Sequence, residues 1–110
     1  MSALKLDIEI EQGSTFQREF TVLDSAGVAF DLTGYTTRGK LNTIGGVYVA
    51  NFATSATGNK LLIELTAVQT AAFTPSTSFS HKYDIEAESP SGIVYRIAQG
   101  SVVVSAEQTK

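Results

Sequence analysis

The run from Phe79 to Ser105, FSHKYDIEAESPSGIVYRIAQGSVVVS, decides the fold class. Phe79, His81, Tyr83, Ile85 and Ala87 alternate with Ser80, Lys82, Asp84, Glu86 and Glu88. A period of about two residues predicts a strand with one buried and one solvated face. Ser89-Pro90-Ser91-Gly92 has turn chemistry, and the return run puts Ile93, Tyr95 and Ile97 on a common face. Past Gly100 the apolar set becomes Val102 and Val104, which have the opposite parity. Strict alternation cannot hold both sets on one side, so an extra residue near Gly100, a β-bulge, is expected to bend the strand and restore its phase. A strand bent there has the means to edge two sheets, or to leave Val102 to Ser105 at a contact.

The same alternation extends through the rest of the chain. Leu4, Leu6, Ile8 and Ile10 alternate with Lys5, Asp7, Glu9 and Glu11, predicting a strand that ends at the Gly13-Ser14 turn. Thr15 to Leu23 places Phe16, Phe20 and Val22 on one face; Arg18 shares it, so that side chain is expected near an open end or reaching past the core to water. Asp24-Ser25-Ala26-Gly27 and Asp31-Leu32-Thr33-Gly34 read as turns. From Tyr35 to Ile44, Thr36, Arg38, Lys40 and Asn42 oppose Tyr35, Thr37, Gly39 and Leu41. An inward Gly39 predicts a bulge or a close approach of a neighbour. Gly45-Gly46 is expected as a two-residue hairpin turn, Val47 to Phe52 as the return strand, and Ala53 to Asn59 as a surface loop. Lys60 to Leu65 points Leu61, Ile63 and Leu65 inward, and Thr66-Ala67-Val68-Gln69 matches a capping box opening a short helix pinned by Val68 and Phe73. Pro75 stops that helix. The expected fold is an all-β, antiparallel β-sandwich of about seven to eight strands with one helical crossing near residues 66–73, in a single domain spanning 1–110. A small closed barrel is the alternative.

Composition narrows the function classes. The chain has no cysteine, which excludes disulfides, thiolate zinc sites and thiol nucleophiles. Its formal charge of −3 offers no electrostatic footprint for nucleic acid. MSALKLDIEIEQ alternates too strictly and carries too many acids for a signal peptide, and no apolar run approaches the roughly 20 residues that span a bilayer.

Candidate chemistry is sparse. His81 is the single histidine, and a general base needs a nucleophile and an orienting partner; a structural imidazole is the competing reading. Asp24, Asp31 and Asp84 would have to converge from separate segments to hold a cation, and each also has a local turn or strand-face role. Glu86 and Glu88 lie about 7 Å apart on one wet strand face, as on any acidic strand. Arg38 and Lys40 read either as an anion site or as cross-strand partners for acids. No catalytic, cofactor-binding or metal residues are therefore assigned. Tyr48 is the best candidate for an exposed ring of the kind that stacks on sugars, with core packing as the competing reading.

Several motifs taken together are more informative. LDIEIEQGSTFQREFTVLDSAG, DLTGYTTRGKL, LTAVQTAAF, YDIEAE and VYRIAQGSVVVSAEQT occur in that order and resemble small structural proteins of tailed bacteriophages. Those proteins share an Ig-like sandwich similar to the N-terminal domain of phage upper baseplate proteins. The family pattern falls on Gln12-Gly13 with Phe16, on Asp31 to Gly34, on Leu65 to Thr70 and on Tyr83 to Thr109. Ala106-Glu107-Gln108-Thr109 stands where Glu-Val-Thr is usual, which affects the path of the tail. The resemblance implies a non-enzymatic virion component without a cofactor, assembled in the host cytoplasm and attached to the tail or baseplate. A capsid decoration protein is the alternative within that class, and a carbohydrate- or receptor-binding module is the alternative outside it. Its partners would be other virion proteins in a symmetric multi-copy assembly, with no nucleic acid or membrane and a surface glycan only in the receptor-binding case. Contacts are expected from the segment Met1 to Ile10, through Leu4, Leu6 and Ile8, or from the tail from Ser101, through Val102, Val104 and Glu107.

Overall fold

Alternation in the sequence becomes alternation of burial in the computed structural model, which describes residues 3–107. The strands are β1 (Leu4–Lys5), β2 (Ile8–Glu11), β3 (Phe16–Thr21), β4 (Thr36–Thr43), β5 (Tyr48–Thr57), β6 (Lys60–Leu65), β7 (His81–Glu88) and β8 (Val94–Ser105), with one helix, α1 (Ala67–Ala71). In β7, His81, Tyr83, Ile85 and Ala87 are buried, and in β6 so are Leu61, Ile63 and Leu65. Phe79 is half exposed because β7 begins only after it.

The strands form one continuous sheet in the order β1-β8-β7-β4-β5-β6-β3, with β2 following β1 along the same side of β8. β1 and β2 run parallel to β8, and the other pairs are antiparallel. The expected pair of antiparallel sheets is thus replaced by a single mixed sheet that curls into a half-barrel. The bend lies in β5, which changes partner part-way along. Its first half, to Phe52, pairs with β4, and Ala53 to Thr57 pairs with β6. At the corner the Thr54 hydroxyl donates to the Thr37 carbonyl at 3.0 Å, so a side chain continues the bonding where the two backbones diverge. The run expected as a loop, Ala53 to Asn59, is therefore mostly strand, and its small side chains suit a tight corner. Only Gly58 and Asn59 form the turn.

β8 carries its bulge earlier than expected. Ile85 faces Ala98 and Glu86 faces Arg96, which makes Ile97 the extra residue and lets Ile97 and Ala98 both turn inward. Gly100 serves a different need: a Cβ there would collide with the Leu6 carbonyl group. Gly39 lies under close neighbours too, Ile85 and Phe52, in line with its expected close approach.

Three hairpin turns share one chemistry. In Asp24–Gly27, Thr43–Gly46 and Ser89–Gly92 the amide of the last residue donates to the carbonyl of the first. The first residue's side-chain oxygen also accepts the amide just past the glycine. Each closing glycine has φ between 80° and 91°, a region that L side chains avoid. The Gly45-Gly46 turn is accordingly a three-residue loop with Gly46 in the left-handed position.

The core lies inside the curl. Ile10, Leu41, Leu61, Ile63, Ile85, Val102 and Val104 are fully buried there. Both halves of the capping box form: the Gln69 amide donates to the Thr66 hydroxyl at 3.1 Å, and the Thr66 amide donates to the Gln69 side chain at 2.8 Å. Val68 does not pin the helix, being 82% exposed. Phe73 is buried as expected, and Thr70 is the second buried anchor in place of Val68.

Candidate functional site

The residues expected at contacts separate into three groups. Ile8, Val102 and Val104 are buried, and their side chains belong to the core. β1 and β2 cover one side of β8; on the other the β7 ladder ends at Val102, where the Ser80 and Ser76 amides bond the Val102 and Val104 carbonyls, so Val102 to Val104 present no free edge. Leu6 is partly buried against the core, while Leu4 is half exposed. Glu107 is exposed, but its amide donates to Gln12 Oε1 at 3.1 Å and its carboxylate lies over Gly13. Met1, Ser2 and Gln108 to Lys110 lie outside the described residues.

Between β1 and β2 the N-terminal segment bows inward. The Leu6 amide keeps its ladder bond to the Gln99 carbonyl at 3.0 Å, but the Leu6 carbonyl turns into the core and accepts the Tyr83 hydroxyl at 2.6 Å. Asp7 Oδ1 then takes the Ser101 amide at 3.0 Å, the bond that the displaced carbonyl gives up. Burial pushes the Tyr83 phenol up to about 12, Arg18 opposes that shift, and Asp7 adds to it.

β2 and β3 follow each other through a short turn and run in opposite senses, yet among the described residues no ladder joins them. The turn is tied to α1. The buried Thr70 hydroxyl accepts the Gly13 amide at 3.1 Å and donates to the Ser14 carbonyl at 2.8 Å. The Gln12 side chain donates to the Phe73 carbonyl at 3.1 Å. The helix therefore holds the base of the turn while the two strands stay apart. A cleft of about 270 Å³ lies between them, lined by Glu9 and Glu11 on one side and Phe16, Gln17 and Arg18 on the other. Arg18 shares the inward face of β3 and reaches solvent at this opening, as its position in the pattern led us to expect.

The candidate chemical groups are each engaged locally. His81 is buried beside Phe73, its Nδ1 lies 2.7 Å from the Ser80 hydroxyl, and burial lowers its pKa. Asp24 accepts the Ala26 and Val28 amides of its own turn. Asp31 accepts the Thr33 hydroxyl and amide, which lower its pKa. Among the described residues no three His, Asp or Glu side chains gather as a metal-binding group. Arg38 bonds Glu86 at 3.0 Å and Glu88 at 3.1 Å, so this cation is a cross-strand partner for acids, and the pairing raises its pKa.

Large apolar side chains are exposed mainly at the turns. Ile44, Val47 and Tyr48 project around the β4–β5 turn, and Phe79 lies beside them because the Ile44 amide donates to the Ser80 carbonyl. Leu23 and Val28 flank the turn after β3, while Ile93 and Val94 follow the β7–β8 turn at the opposite end of the sheet. Tyr48 is 57% exposed and borders a shallow cleft with Asn51, Gln69 and Phe73.

The sequence reading missed the open β2–β3 cleft, because alternation shows which face a residue takes and not which strand lies beside it. It also assigned Phe79 to the core by extending the β7 alternation past the strand's first residue. No family model matches the chain, and no curated protein matches it either.

Proposed function

We propose that the chain is a non-enzymatic structural protein of a tailed-phage virion, attached to the tail or baseplate and acting through contacts with other virion proteins. The order of motifs from Gln12-Gly13 to the Tyr83–Thr109 segment supports this. So does the hinge in β5, which folds the sheet back on itself so that β6 and β3 face the longer half across the core. An Ig-like sandwich has a related layout, with two layers around one core. The observation that carries the proposal is the placement of exposed apolar side chains at opposite ends of the sheet: Ile44, Val47, Tyr48 and Phe79 around the β4–β5 turn, Ile93 and Val94 after the β7–β8 turn. Apolar surface concentrated at opposite poles suits head-to-tail or ring contacts, in which repetition multiplies weak contacts. Imaging of purified particles with this chain labelled tests the reading. Label at the tail or baseplate supports it, label on the capsid surface favours a decoration protein, and unlabelled particles overturn both.

Exposure of Tyr48 favours a second reading, a glycan-binding module on the particle surface. On that reading Tyr48→Ala abolishes glycan binding with the fold intact. No binding by the unaltered protein at millimolar glycan sinks it.

A further inference from the structure

We infer that the cleft between β2 and β3 is a docking site for an extended, basic segment of a partner chain, which adds to the free edge of β3. This specifies one surface of the assembly role proposed above and rests on it. An edge strand carries unpaired amides and carbonyls that form a ready template for another strand. Here two such edges face one cleft, and among the described residues neither has a partner beyond β8 and β6 respectively. An added strand on β3 would extend the curled sheet toward closure at its open seam.

Charge selects the occupant. Glu9 and Glu11 project outward from β2, Glu19 projects outward from β3, and Glu64 lies beside Gln17 on β6, bonded to its amide at 2.9 Å. Lys60, a cation of the same surface, sits at the far end of β6 and is bonded to the Thr21 hydroxyl. Among the described residues, the outer-face side chains that line or flank the cleft are therefore mostly acidic. The inner face is not: Phe16 is half-buried there, and Arg18 supplies positive charge. Side chains of an added strand alternate between these faces. The segment that fits has Lys or Arg at alternate positions, facing the glutamates, and small or β-branched apolar residues between them, covering Phe16 and avoiding Arg18.

The probe is a synthetic peptide of about eight residues alternating Val with Lys, a usual strand length, and its control replaces each Lys with Glu. Each is titrated into the isolated chain while backbone amides are followed by NMR and hydrogen exchange. The Lys peptide is expected to protect amides in Phe16 to Thr21 and to bind about tenfold more tightly than the Glu peptide. That preference should fall as salt rises. The double variant Glu9→Lys, Glu11→Lys alters only exposed side chains and should erase the preference without changing the folded spectrum. Equal binding of both peptides, protection confined to other strands, or no binding at millimolar peptide would overturn the inference. Protection of β3 that rises with protein concentration alone would assign the edge to a second copy, and would overturn a basic partner. Because the test uses the isolated chain, its failure leaves the particle location to be decided by imaging.

Discussion

The Tyr83 hydroxyl donates to the Leu6 carbonyl at 2.6 Å, tying the middle of the sheet to the N-terminal segment 77 residues earlier in the chain. The bond has structural consequences on both sides. It draws the Leu6 carbonyl out of line with the β8 ladder, so Asp7 must supply the acceptor for the Ser101 amide. It also brings the Leu6 backbone over residue 100, where only glycine fits. Tyr83, Asp7 and Gly100 thus form one joint that holds β1 and β2 in parallel register.

Removing the hydroxyl tests the joint without emptying the core. Tyr83→Phe leaves a partly buried carbonyl unsatisfied and should cost about 1–2 kcal/mol in denaturant unfolding. Tyr83→Ala also removes a ring packed edge-on against Phe52, and should cost about 3–5 kcal/mol. A loss below 0.5 kcal/mol for the Phe variant would mean that the Leu6 carbonyl finds another donor easily; this threshold is roughly the smallest net value of such a bond.

Gly100→Ala and Gly39→Ala should differ. At residue 100 the new methyl meets the carbonyl group of Leu6, which cannot move without breaking the bond to Tyr83. A cost of about 1–3 kcal/mol is expected there, with increased hydrogen exchange at the β1 and β2 amides. At residue 39 the new methyl meets the terminal methyl of Ile85, a flexible group that can turn aside. Gly39→Ala should be the milder change in the same unfolding assay. The reverse order would locate the tight approach at β4.

The helix offers a paired test. Thr66→Ala removes the hydroxyl that caps the Gln69 amide, at a cost of about 1 kcal/mol. Val68→Asp should stay within about 0.5 kcal/mol of the unaltered protein, because that side chain projects into water. A large effect of Val68→Asp would mean that α1 is covered by something in solution.

Local chemistry was legible in the sequence; the path of the sheet was not. The capping box, the glycine-closed turns and the inward residues of β6 and β7 follow from interactions within a few residues, so they can be read directly. The corner in β5 depends on Thr54 reaching Thr37 and on β6 arriving beside Ala53, neither of which leaves a mark in alternation. The bulge shows the same division. A phase change in β8 was visible, but Gly100 drew attention from Ile97 because glycine commonly marks a bulge, and here it marks a close backbone approach. Contact residues were the least legible, since Ile8, Val102 and Val104 are apolar for the core's sake. The cleft between β2 and β3 follows from Thr70 anchoring the turn between them, a contact across 56 residues.

Acid sensitivity provides the last test, and His81 is its source. Burial lowers the pKa of His81 from 6.5, so the folded state holds the imidazole neutral at a pH where the unfolded chain already binds a proton. Stability from this group is therefore fully present above about pH 7 and declines as pH falls through 6.5 toward the folded-state value, below which it levels off. Asp31 also contributes, but its lowered pKa places that loss below 3.8, in a separate window. His81→Gln removes the titrating group. Urea unfolding of both proteins from about pH 8 to pH 5 should show the unaltered chain losing stability relative to the variant as the solution becomes acid. Parallel curves across that range would mean that the imidazole reaches water in the folded protein and is not held neutral between β7 and Phe73.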